Sequence, residues 1–153
     1  LREGGEEYLD SEKFELRAWD RERADSLAGF IALLNRLRRE NPALQSDAGL
    51  RFLDIDNEQM IAYAKATADL TNIVVCVVNL DPHHVQSGWL TLDAAALGLA
   101  GEQSYQMADA ISGAHFLWHG ERNFVSLDPR RSPVHVMRMR RHLKREHDFD
   151  YFA

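Results

Sequence analysis

From about Ala24, apolar residues fall at Leu27, Phe30, Ile31, Leu34 and Leu37, while Asn35, Arg36, Arg38 and Arg39 take the opposite face. That spacing predicts one amphipathic helix. Asp25 or Ser26 can cap its start, and the arginines suit the negative end of its dipole. Pro42 disfavours helical geometry at Asn41, so the helix is expected to stop near Glu40. After "QSDAG" (45–49) the helical period does not return. Eight short segments follow: "LRFLDID" (50–56), "MIAYAKAT" (60–67), "NIVVCVVNL" (72–80), "GWLTLD" (88–93), "SYQMADAI" (104–111), "HFLWHG" (115–120), "NFVSLD" (123–128) and "VHVMRMRR" (134–141). They are rich in β-branched and aromatic residues and bounded by Gly, Pro, Asp and Asn, which predicts strands in two packed antiparallel sheets. "IVVCVV" is expected at the centre, because an edge would expose too much apolar surface. "DAAALGLA" (93–100) is the one rival helix, kept short by Gly98 and Gly101.

The fold class is therefore mainly β, an antiparallel β-sandwich preceded by one amphipathic helix. Residues 1–23 are polar and acidic, with one short alternating piece, "KFELRAW" (13–19). The closing "HLKREHDFDYFA" reads as a fraying tail or as a segment docked through Phe149, Tyr151 and Phe152. A lone helix with a wide apolar face needs a wall. Its own sandwich is one candidate, and a larger body outside this chain is the other.

Composition narrows the picture. With 45% hydrophobic residues among 153 the chain can build a core, and no apolar run approaches the ~20 residues needed to span a membrane. A net charge of −6 argues against nucleic acid as a partner, and the basic run "RMRRHLKR" (138–145) is too short to reverse it. The acidic start is unlike a secretory signal, and the absence of an initiating methionine fits a processed chain or a fragment. The single cysteine excludes an internal disulfide and makes a reducing cytoplasm the simplest compartment.

The order of these pieces resembles the C-terminal end of an α-amylase-superfamily enzyme, in which a (β/α)8 barrel closes on a last helix and a small β-sandwich follows. "LNRLRRENPAL" (34–44) is similar to such a helix end, and "FLWHGERNFVSLDPRRSPVHVMRM" (116–139) to the closing strands. "GGEEYLDSEKFELRAWD" (4–20) is similar to the segment before the last barrel helix in one branch, the α-1,4-glucan:maltose-1-phosphate maltosyltransferases. The resemblance implies three parts: 1–44 as the terminal segment and last helix of a catalytic barrel, 45–141 as the C-terminal sandwich, and 142–153 as a tail. It implies a retaining enzyme that passes maltosyl from maltose 1-phosphate through an aspartyl intermediate to an α-1,4-glucan, with no cofactor and as a homodimer. Retaining chemistry needs two facing carboxyl groups. In the family these lie on earlier barrel strands, so the chain is expected to hold no catalytic residue and to be inactive alone.

Glu12, Lys13 and Tyr8 are the residue types that bind sugars, by hydrogen bonds to hydroxyl pairs and by ring stacking. The resemblance makes Glu12 and Lys13 candidate donor-maltosyl contacts, with Tyr8 and Ser11 behind them. Phe14 stands where a tyrosine would also fit, so no hydroxyl is relied on there. His83 and His84 follow Asp81-Pro82 and read as a turn. His115 and His119 share a strand face but lie about 13 Å apart, too far for one ion, so no metal site is expected. Cys76 among valines reads as a buried small hydrophobe. Trp89, Trp118 and Tyr105 are candidates for a glucan-stacking platform, and Trp118, with polar histidines nearby, is preferred. Two other readings remain open: a non-catalytic glucan-binding module, or the end of another superfamily enzyme such as a trehalose synthase or an α-amylase.

Overall fold

The computed structural model describes residues 18, 20, 22–99 and 103–141. Its elements are a helix α1 (Ala28–Glu40), a 3-10 turn (Pro42–Gln45), and strands β1 (Leu50–Ile55), β2 (Met60–Ala66), β3 (Ile73–Asn79), β4 (Gln86–Thr91), β5 (Ser104–Asp109), β6 (His115–His119), β7 (Arg122–Leu127) and β8 (Val134–Arg140). Each of the eight segments expected to be extended is a strand. "DAAALGLA" makes only turns, with Asp93 Oδ1 accepting the Ala96 N–H at 3.0 Å. Among the described residues no helix is long and apolar enough to cross a membrane.

By its contacts the chain divides into Leu1–Ala32 and Leu33–Ala153. In the first unit, Ser26 Oγ accepts the Ala28 N–H at 3.3 Å at the start of α1, and Arg23 pairs with Asp25. Leu27, Phe30 and Ile31 are 67, 39 and 52% exposed.

In the second unit all strands are antiparallel, in the order β6-β5-β8-β3-β2-β1-β4-β7. β1 serves two ladders: Leu50 to Leu53 pair with β2, and Asp54 and Ile55 pair with β4. The edge strands β6 and β7 are consecutive in sequence, and His119 to Arg122 can span at most about 11 Å. The sheet must therefore curl until its two edges approach, which yields a sandwich close to a barrel. Gly120 makes this turn at φ 59°, a left-handed conformation that glycine adopts without a Cβ clash. Behind it the Tyr105 hydroxyl donates to Gly120 O at 2.7 Å and accepts from Asn123 Nδ2 at 3.0 Å.

Alternate residues fill the interior. Ile73, Val75 and Val77 point inward with Met107, Trp118, Leu127 and Met137. Val74 and Cys76 point outward, under Leu37 and the partly buried Leu33 of α1. β3 is thus covered on both faces, which is why "IVVCVV" reads as a continuous apolar run.

The helix end is tied down by amides. Asn41 is extended before Pro42 (φ −119°, ψ 103°), and its Nδ2 donates to Leu37 O at 2.8 Å. Asn72, at the start of β3, donates from Nδ2 to Asn41 Oδ1 at 3.1 Å and accepts the Ala43 N–H on Oδ1 at 3.0 Å. Both asparagines are buried. Asn72→Ala strands two of these groups and is expected to cost about 2–3 kcal/mol, read as a shift in urea midpoint at constant m.

Candidate functional site

Tyr8, Ser11, Glu12 and Lys13, the candidate sugar contacts, lie outside the described residues, as do the 142–153 tail and the "KFELRAW" piece apart from Ala18.

Trp118 requires a correction. It is only 6% exposed and packs edge-on to Tyr105, centroids 6.3 Å apart, inside the core. On β6, His115, Leu117 and His119 are exposed while Trp118 is buried. Successive side chains of a strand face opposite ways, so polar neighbours argue for burial of the residue between them. Trp118 therefore offers no surface to a glucan, and Tyr105 is fully buried too.

The same alternation turns Trp89 outward. Its neighbours Gly88 and Leu90 are buried, and Trp89 is 44% exposed. Directly across the ladder stands Phe124, 54% exposed, with ring centroids 5.4 Å apart and planes at 65°. Arg122 lies over the indole, its Cζ 5.0 Å from the ring centroid, a cation–π contact. Asp56 fixes the arrangement from the end of β1: Oδ1 accepts the Trp89 backbone N–H at 2.6 Å and Oδ2 accepts Arg122 Nη2 at 3.2 Å. Ser87 and Ser126 form the next cross-strand pair and Thr91 faces Arg122, all exposed. This gives two rings ringed by hydroxyls, a carboxylate and a guanidinium.

A buried cluster at the end of β5 looks catalytic in composition but not in wiring. Asp109, its side chain fully buried, accepts from Val136 N–H (3.0 Å), Ile111 N–H (3.3 Å), Ser112 N–H (3.1 Å), Ser112 Oγ and His135 Nδ1 (2.9 Å). Burial pushes its carboxyl up, but the donors from His135, Ser112 and Val136 outweigh it and hold it down at about 2. Nucleophilic relays place the hydroxyl and the acid on opposite imidazole nitrogens. Here serine and histidine both converge on the acid, the arrangement of a structural carboxylate.

The remaining candidates are structural as well. Cys76 is buried, and burial pushes its thiol up, while burial raises its hydrogen-bonded neighbour Tyr63 to about 12. That suppresses thiolate chemistry. His83 and His84 sit in the expected turn, where Asp81 Oδ1 accepts both backbone N–H groups at 2.8 and 3.2 Å. The His83 N–H, with the His84 ring, holds the Asp81 carboxyl far below the usual range.

The fold defines a class, an antiparallel β-sandwich close to a barrel. It superposes on a maltogenic α-amylase, AmyB from Thermotoga neapolitana, with a TM-score of 0.55 at 13% identity, covering 74% of this chain and 26% of that one. More narrowly, the chain belongs to the family described as "GLGE, C-terminal", matched over residues 52–139. It is 48% identical over 140 residues to the α-1,4-glucan:maltose-1-phosphate maltosyltransferase of Corynebacterium glutamicum, covering 89% of this chain and 21% of that protein. It is 39% identical over 142 residues to that of Chlorobaculum tepidum (89% and 21%) and 43% identical over 138 residues to that of Salinibacter ruber (90% and 20%). The chain spans about a fifth of the length of these relatives.

Proposed function

We propose that this chain is the C-terminal part of a retaining maltosyltransferase that moves maltosyl from maltose 1-phosphate to an α-1,4-glucan. The observation that carries the reading is similarity along nearly the whole chain, at 48% identity, to a protein of that name. The sandwich supports a catalytic barrel, and the chain alone is inactive because the carboxylates that retaining chemistry needs are supplied by the barrel. With the reading goes a division into 1–44 as the end of the barrel, 45–141 as the sandwich and 142–153 as a tail. A homodimeric enzyme in the cytoplasm completes it. The exposed Leu27, Phe30 and Ile31 support the assignment of α1, since a barrel is the surface such a face would meet.

In the joined enzyme Glu12 and Lys13, backed by Tyr8 and Ser11, contact the donor maltosyl group. The test is phosphate release from maltose 1-phosphate by the protein carrying this chain behind its barrel. Release that requires an α-glucan acceptor is expected, with none from the 153 residues alone. Release from neither, or transfer from free maltose or trehalose instead, would remove the reading. Lys13→Ala should raise the donor KM or lower kcat tenfold or more, about 1–3 kcal/mol for one charged hydrogen bond, and unchanged kinetics would take Lys13 out of the site.

A further inference from the structure

We propose that the outer face of β4 and β7 is a surface site for an α-glucan chain, with Phe124 and the Trp89 face not covered by Arg122 packing on pyranose rings, and Arg122 and Asp56 bonding their hydroxyls. The choice of glucan rests on the transferase reading; the existence of a ligand site rests on the geometry.

Three observations point there. First, among the described residues Trp89 and Phe124 stand exposed, on the side away from α1. Leu33 and Leu37 cover the outer side of β3 and β8, whereas Trp89 and Phe124 project from the opposite layer across the core. Second, the rings are held before any ligand arrives. Asp56 grips both the Trp89 backbone and the Arg122 side chain that lies over the indole. A preset aromatic loses little freedom on binding. Third, polar groups suited to sugar border the rings: Ser87, Ser126 and Asp56. Hydroxyl, carboxylate and guanidinium groups around an apolar ring match the alternating apolar faces and hydroxyl edges of a pyranose.

The site does no chemistry. It would hold polymeric acceptor beside an enzyme that elongates it, raising the local concentration of chain ends.

Native affinity electrophoresis of the 153-residue chain in gels containing glycogen, with a β-1,4-glucan gel as control, tests the proposal. Retardation by glycogen alone is expected. Trp89→Ala and Phe124→Ala should each weaken it tenfold or more, and Trp89→Phe should largely restore it. Both rings are exposed enough for the variants to fold, and far-UV and near-UV circular dichroism checks that they do. A wild-type chain that glycogen does not retard, equal retardation by the β-glucan, or ring variants that bind as well as wild type would each overturn the site. Phosphate release by the joined enzyme reads the transferase assignment independently, so transfer without retardation sinks this inference alone.

Discussion

Asp109→Ala is expected to lower the melting temperature by about 10–20 °C, corresponding to roughly 3–5 kcal/mol. The substitution deletes the acceptor of donors from Ile111, Ser112, His135 and Val136 and leaves them facing a dry hole. Domains are stable by only ~5–15 kcal/mol, so this one change removes a large part of the total. The same carboxylate sets a pH dependence. Its folded value is lowered from 3.8 to about 2, so the folded state binds its proton less tightly than the unfolded state does. The contribution is fully present above about pH 4 and is lost as pH falls towards 2, amounting to about 2 kcal/mol. Urea midpoints measured from pH 6 down to pH 2 should fall in that window for wild type, and fall less for Asp109→Ala. Parallel curves would show that Asp109 is not the group responsible.

Trp118→Ala should be about as damaging, at 3–5 kcal/mol, because the indole is buried against Tyr105 and its removal leaves a cavity. Trp89→Ala, by contrast, loses only the ring pair with Phe124 and the Arg122 contact, about 1 kcal/mol. Thermal unfolding of the two variants side by side separates the roles. Equal losses would mean that the outward and inward assignments of these tryptophans are wrong.

That pair also shows what the sequence could and could not disclose. Period-2 alternation, β-branched content and turn residues suffice to find every strand among the described residues, because each depends on neighbours within a few positions. β4 begins earlier than expected, at Gln86, since its first pairing, Gln86 with Leu127, is non-local. The helix end at Asn41-Pro42 is legible from proline sterics, but the Asn41–Asn72 bridge that locks it spans 31 positions. Trp118 was legible in principle: applying the alternation to "HFLWH" puts the tryptophan opposite the histidines. The Asp109 hub was not, as His135 lies 26 residues away and only the β5–β8 pairing brings them together. The outward platform needed the same kind of information, because Asp56, Trp89 and Arg122 come from the end of β1, from β4 and from β7.

We propose that the apolar face of α1 lies against a barrel joined to this chain, and the transferase reading rests on that contact. Ile31 is 52% exposed, Leu34 is 38% exposed, and the one native cysteine, Cys76, is buried. An Ile31→Cys variant therefore offers maleimide a single accessible thiol. Rapid labelling is predicted in the 153-residue chain, and labelling at least tenfold slower when the chain is joined to a catalytic barrel. Equal rates in the two contexts would contradict the claim.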